Sequence, residues 1–149
     1  MKPIRELIAK QEVHALPPEA TVLDAARAMN EHGIGAILVL GADGELRGIF
    51  SERDVMARVV VPRKNAEEVR LEEVMTTELY TAGPEERSDA VAKEMQRRHI
   101  RHLPVVKDGQ VIGILSMRDL VRSHLASKEE EVQALTAYIQ GEDPEEAGE

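Results

Sequence analysis

Gly48-Ile49-Phe50-Ser51-Glu52-Arg53-Asp54-Val55 returns later in the chain as Gly113-Ile114-Leu115-Ser116-Met117-Arg118-Asp119-Leu120, an offset of 65 (113 − 48). Upstream, the correspondence continues at an offset of 66 (84 − 18). There Pro18-Glu19 matches Pro84-Glu85, and Ala26, Met29, Ile34 and Val39 match Ala92, Met95, Ile100 and Val105. The one-residue slip falls where Gly41-Ala42-Asp43-Gly44 corresponds to Lys107-Asp108-Gly109, and surface turns absorb such changes readily. The lead-ins also correspond, Ile4-Arg5-Glu6-Leu7-Ile8 with Leu71-Glu72-Glu73-Val74-Met75. A duplication of this kind decides the architecture before any single element does.

Within each copy the same elements are predicted. A short strand (Val13–Leu16; Leu79–Ala82) leads through a Pro-containing turn into a helix. That helix carries Val22, Ala25, Ala26 and Met29, or Val91, Ala92 and Met95, at helical spacing. Two β-rich runs follow, Ala36–Leu40 with Leu46–Phe50 and Leu103–Val106 with Val111–Leu115, each pair joined through Asp-Gly, a hairpin signal. A second helix begins after Ser51 and after Ser116, with Val55, Met56, Val59 and Val60 as its apolar face in the first copy. The unit is βαββα, and the fold class is α+β: two tandem repeats packed sheet to sheet as one pseudo-twofold module. One such unit has too small a core to stand alone. The expected organisation is repeat 1 with its lead-in over 1–61, a linker over 62–70, repeat 2 over 71–126, a C-terminal helix over 127–140 and a disordered acidic tail over 141–149. On the C-terminal helix, Val132, Leu135, Thr136 and Ile139 form an apolar stripe expected to pack on its own domain, the alternative being a second subunit.

Composition narrows the function classes. The 28 acidic residues outnumber the 19 basic ones, giving a net charge of −9. Nucleic-acid backbones attract the opposite balance, so neither DNA nor RNA is expected as partner. Cysteine is absent, which excludes disulfides and thiolate metal sites and suits a reducing cytoplasm. No leader or membrane-spanning run is apparent, so a cytoplasmic protein without a membrane partner is expected. The five histidines lie in different elements or straddle a helix-to-strand change, so no metal site is expected. Nor is any catalytic residue: Gly33-Ile34-Gly35 lacks the third glycine of a dinucleotide fingerprint, and no phosphate-loop or activated-serine context occurs.

Ser51-Glu52-Arg53-Asp54 and Ser116-Met117-Arg118-Asp119 read first as capping boxes, with Ser at the N-cap and Asp three residues on. Both copies also place Arg at the second helical position. There the helix dipole disfavours a cation unless an anion is bound nearby. Arg97-Arg98-His99-Ile100-Arg101-His102 is the most basic run. Arg97, Arg98 and His99 suit a solvated helix end. Arg101 and His102 enter the next strand and, at period two, are expected on opposite faces. Repeat 1 has Gly35-Ala36 at that position, so the two halves should offer unequal sites, one bringing charge and the other space.

Taken together, these features resemble the CBS domain pair, or Bateman module. The likeness rests on Leu-Glu-Glu-Val-Met-Thr at Leu71–Thr76, the amphipathic helix, Ile100–Val106, the Asp-Gly hairpin and the duplicated Gly-Ile-x-Ser-x-Arg-Asp. It covers the chain from the Leu7 region to the Leu125 region. The resemblance implies adenosine-type ligands (AMP, ADP or ATP, in some members S-adenosylmethionine or NAD(H)) held in clefts between the repeats. It implies that Asp54 and Asp119 accept hydrogen bonds from ribose hydroxyls, and that Ser51, Ser116, Arg53 and Arg118 lie near ribose or phosphate. It places Arg101 and His102 at the clefts and derives the adenine environment from His14, Ala15, Tyr80 and Thr81. It also implies a disc-like homodimer and a regulatory role exerted through a separate effector protein. The alternative is an interaction or scaffolding dimer whose clefts are vestigial.

Overall fold

The computed structural model describes residues 2–140, and the acidic segment 141–149, expected to be disordered, lies outside them. The elements in order are α1 (Ile4–Ile8), β1 (Ala15–Leu16), α2 (Val22–His32), β2 (Ala36–Leu40), β3 (Leu46–Ser51) and α3 (Glu52–Asp54), which runs on as a π-helical segment (Val55–Val60). Then come α4 (Leu71–Val74), α5 (Ser88–Arg97), β4 (His102–Lys107), β5 (Gln110–Ser116) and α6 (Met117–Ile139). The mixed α and β class follows from the duplicated pattern, and the departures from that pattern have local causes.

In the first repeat, β1 pairs parallel with β2, and β2 pairs antiparallel with β3. In the second, β4 and β5 form a two-stranded antiparallel sheet. The strand expected over Leu79–Ala82 reduces to a single parallel bridge between Ala82 and Val105. Pro104 supplies the reason. Its counterpart Leu38 donates its backbone N–H to the His14 carbonyl at 3.3 Å, and a proline has no N–H to give Tyr80. The first strand of repeat 1 is itself shorter than expected, beginning at Ala15 rather than Val13.

Two apolar cores form, and each takes its lead-in from the other repeat. Ile4 and Ile8 of α1 are buried with Val91, Met95, Leu103, Val105 and Leu115 of the second repeat. Leu71 and Val74 of α4 are buried with Val22, Met29, Ile37, Val39 and Phe50 of the first. The two units are thus stitched across one another. The repeated glycine of the opening motif marks each crossing. A Cβ on Gly48 would lie 2.6 Å from Met75 Sδ and 2.9 Å from the Thr76 carbonyl oxygen; one on Gly113 would lie 3.0 Å from Ile8 Cδ1 and 2.9 Å from Gln11 Oε1. At the outer edge of β3, Ile49 and Thr76 exchange backbone hydrogen bonds of 3.1 and 3.0 Å. On β5, Ile114 makes the matching pair with the Gln11 side-chain amide, at 2.7 and 2.8 Å.

Helix starts follow the sequence closely. Thr21 and Asp24 form a capping box on α2, and α2 ends at Gly33 with φ of 63°. His99 occupies the matching position with φ of 56°, a conformation less costly for Gly than for His. The 62–70 segment is not merely a spacer: the Val69 and Ala66 carbonyls accept the otherwise unpaired N–H groups of Val22 and Leu23, both at 2.9 Å. Two expectations are corrected. The π-winding after Asp54 leaves Val59 buried and Val55 partly so, whereas Met56 and Val60 are exposed. The C-terminal helix does not start afresh at 127 but continues α6 without a break, and its stripe Val132, Leu135, Thr136 and Ile139 is exposed rather than packed on its own domain.

Candidate functional site

A cleft of about 770 Å³ opens between the repeats. One wall comes from repeat 1: Gln11 to His14, the end of α2, Gly33 to Ala36, Glu52 and Val55. The other comes from repeat 2: Arg101, His102, Ser116, Met117, Arg118, Asp119 and Arg122. Six residues named from the sequence therefore meet here, namely His14, Arg101, His102, Ser116, Arg118 and Asp119. The capping box at Ser116 positions the floor. Asp119 N–H donates to Ser116 Oγ at 3.1 Å, and Ser116 N–H donates to Asp119 Oδ2 at 3.0 Å. Such a cap contributes about 1 kcal/mol to helix stability. It leaves Asp119 Oδ1 with no partner among the described residues.

Arg101, Arg118 and Arg122 likewise form no ion pair among the described residues, so three guanidinium groups share the cleft with the carboxylates of Glu12, Glu52 and Asp119 without contacting one. Arg101 and His102 were expected on opposite faces of their strand. Both line this cleft, because β4 begins only at His102 and the two-residue alternation does not yet hold at Arg101. The His102 ring reaches across to repeat 1: a Cβ on Gly35 would lie 3.2 Å from its Nε2 and 3.4 Å from Glu52 Oε1. Burial pushes the His102 imidazole below its ordinary value, against the opposing pull of Glu52 and Asp119. His14 precedes β1 and is largely covered, its ring stacked on His32 at 3.8 Å between centroids. Face-to-face rings do not converge their nitrogens on one ion, and no group of three potential metal ligands exists among the described residues.

The pseudo-equivalent position in the other half is a smaller cleft of about 510 Å³, lined by Glu78, Leu79, Tyr80, Arg97, Arg98 and Ile100. Of the residues expected to touch ligand, Tyr80 alone lines it. The Arg98 guanidinium lies 4.5 Å over the Tyr80 ring and donates to Glu94 at 2.7 Å. Arg97 grips the same carboxylate, and hydrogen bonds from the two arginines, Arg97 first, pull Glu94 down to about 2. Ser51 and Asp54 form the same capping box as their counterparts, at 2.9 and 3.2 Å. Here, however, Asp54 Oδ1 faces Arg58 Nε at 3.6 Å, and Arg58 is anchored on the Val74 carbonyl at 2.7 Å. Ser51, Arg53, Asp54, Ala15 and Thr81 line neither cleft.

Comparison with known proteins agrees with this duplicated geometry. The sequence matches the CBS domain over residues 4–61 and again over 71–125. The chain belongs to the CBS domain family. The mitochondrial CBS domain-containing protein CBSX3 of Arabidopsis thaliana is 38% identical over 125 residues, 81% of this chain and 61% of that one. The chain thus spans about three-fifths of that relative's length. Among solved structures, a CBS-domain protein from Burkholderia ambifaria MC40-6 superposes with a TM-score of 0.79 at 32% identity, covering 84% of this chain and 95% of that one. The CBS domain pair of protein MJ0100, in complex with 5′-methylthioadenosine and S-adenosyl-L-methionine, gives 0.76 at 26% identity over 85% and 98%. CBS domain protein PAE2072 from Pyrobaculum aerophilum, complexed with AMP, gives 0.73 at 27% over 79% and 89%.

Three charged residues in the larger cleft of this CBS pair, Glu12, Glu52 and Arg122, were not anticipated from the sequence. Arg122 follows Arg118 by four residues and so shares its face of α6, a signal legible once the cap at Ser116 is recognised. Glu52 offered no such signal. It aligns with Met117, and only the approach of Gly35 and His102 reveals that its carboxylate stands at the join between the repeats.

Proposed function

We propose that this CBS pair binds one adenosine-type ligand per chain in the larger cleft and acts as a regulatory module rather than a catalyst. The observation that carries the reading is Asp119. Its Oδ2 is engaged by the helix cap, and its Oδ1 remains available beside three unpaired arginines. A carboxylate oxygen suits ribose hydroxyls, which donate. Arg101, Arg118 and Arg122, together with the positive end of α6, suit phosphate. The AMP complex of PAE2072 and the adenosyl complexes of MJ0100 support the ligand class. An occupied cleft would bridge the repeats, so binding would bias their relative placement by the ligand's differential affinity for the two arrangements, and a separate effector protein would read it.

The test is calorimetric titration with AMP, ADP, ATP, 5′-methylthioadenosine and S-adenosylmethionine. One of them is expected to saturate at one ligand per chain and to raise the unfolding midpoint. Absence of heat and of any thermal shift with all five at about millimolar concentration, an affinity weaker than about −4 kcal/mol, rejects the reading.

A further inference from the structure

Both repeats carry Ser-x-Arg-Asp, but the cation that follows this motif has moved by one residue between them. Repeat 1 has Ala57-Arg58 where repeat 2 has Arg122-Ser123 (122 − 65 = 57). Arg58, four residues after Asp54, faces its carboxylate at 3.6 Å and is tied to the Val74 carbonyl at 2.7 Å. Arg122 stands three residues after Asp119, the only carboxylate within one turn of it on α6. Yet the two form no ion pair, and Arg122 lines the larger cleft instead.

Helix geometry fixes where this extra cation acts. Side chains on a helix lean toward its N-terminus, so the stem of Arg122 lies over the turn that carries Arg118 and Asp119. A group bound through its ribose at Asp119 therefore has one guanidinium at the helix start and a second one turn farther along. The cleft is also polarised. Glu12 and Glu52 belong to the repeat 1 wall, whereas Arg101, Arg118 and Arg122 belong to the repeat 2 wall. Glu12 has His14 as neighbour at 3.9 Å, and Glu52 stands beside the His102 ring. An anionic chain is thus drawn to the repeat 2 side. A sugar-linked phosphate carries about two negative charges, which leaves one of the three guanidinium groups unmatched. A second linked phosphate brings the total to about three.

We propose, on the ligand reading above, that Arg122 is a specificity-determining residue of the larger cleft. It favours ligands with two or more linked phosphates over a monophosphate, and over uncharged or cationic adenosyl groups. The planar fork of an arginine can take two phosphate oxygens at once. Repeat 1 has no equivalent, because Ala57 carries no charge and Arg58 is committed to Asp54. The discrimination comes from a residue outside the duplicated motif.

The test is calorimetric competition on the full chain, without added divalent cation, using adenosine, AMP, ADP, ATP and S-adenosylmethionine. The wild type is expected to bind ADP about ten-fold tighter than AMP, a difference of 1.4 kcal/mol, and S-adenosylmethionine more weakly than either. In Arg122→Gln the ADP-to-AMP ratio is expected to shrink to about two. Arg122→Lys, which keeps the charge but not the fork, is expected to restore part of it. Arg122 is exposed, and the melting point of each variant without ligand verifies its fold. A wild type that binds AMP as tightly as ADP overturns the proposal, as does one that prefers S-adenosylmethionine. So does a ratio that survives in Arg122→Gln. Adenosine-type binding itself would stand in all three cases, whereas a wild type that binds none of the five removes that reading and this proposal together.

Discussion

Asp54 and Asp119 occupy the same place in the same capping box, yet only Asp119 is left with an unpaired oxygen. Four residues beyond Asp54 stands Arg58, which takes the remaining oxygen; four beyond Asp119 stands Ser123, which carries no charge and makes no bond to it. The stacked pairs differ in the same way. His14 on His32 and Arg98 on Tyr80 fill matching positions, 66 residues apart (80 − 14; 98 − 32). In the second half the stacking partner is a cation clamped by Glu94, which already occupies the face of the only aromatic ring there. Both repeats retain what a helix start requires, whereas the surfaces around the starts differ. One cleft presents free anion- and hydroxyl-binding groups, and the other satisfies its own.

The largest expected effect separates the two aspartates. Asp119→Asn retains an oxygen for the cap but loses the charge, and is expected to weaken ligand binding about 100-fold, near 2.7 kcal/mol. Asp54→Asn is expected to change it less than about two-fold. Equal losses in calorimetry would erase the distinction between the clefts.

Next in size is the response to pH at His102, for which repeat 1 has only Ala36. The folded-state value of His102 lies below its ordinary 6.5. The unfolded chain therefore binds more protons between the two values. Stability should fall as pH drops from about 6.5 toward the folded-state value, by at most about 1.4 kcal/mol per pH unit for one proton. Denaturant titrations of the wild type and of His102→Gln check this; an unchanged slope in the variant would remove His102 as the cause.

The smallest effect belongs to the second cleft. Arg98→Ala is expected to lower stability by about 0.5–1 kcal/mol through loss of the Tyr80 contact and to uncover a second, weaker ligand site. A stoichiometry fixed at one in the variant would show that Arg98 is not what fills that cleft.

Local chemistry accounts for what could be read in advance. The element order, the capping boxes at Ser51 and Ser116, the Asp-Gly hairpins and the inequality between Gly35-Ala36 and Arg101-His102 all depend on residues close together in the chain. Pro104 could in principle have announced the missing strand, because its effect depends only on its own absent N–H and its alignment with Leu38. Arg58 lay within one helical turn of Asp54, but its choice of partner depended on the Val74 carbonyl arriving from the other side of the linker.

The sequence by itself determined that one structural unit occurs twice, where most of its helices begin and which residues carry charge. Only the tertiary structure decided how those units share parts. The two lead-ins are alike in sequence, so their residues alone do not assign either to a core. α1 settles on repeat 2 and α4 on repeat 1 because each passes over the bare glycine of the other unit, and there the edges of β3 and β5 find their missing hydrogen-bond partners. That exchange brings Gln11 to His14 of the first repeat against Arg101, Arg118 and Asp119 of the second. Side-chain identity is local and legible, whereas a cleft between non-adjacent segments is set by which backbone edges meet.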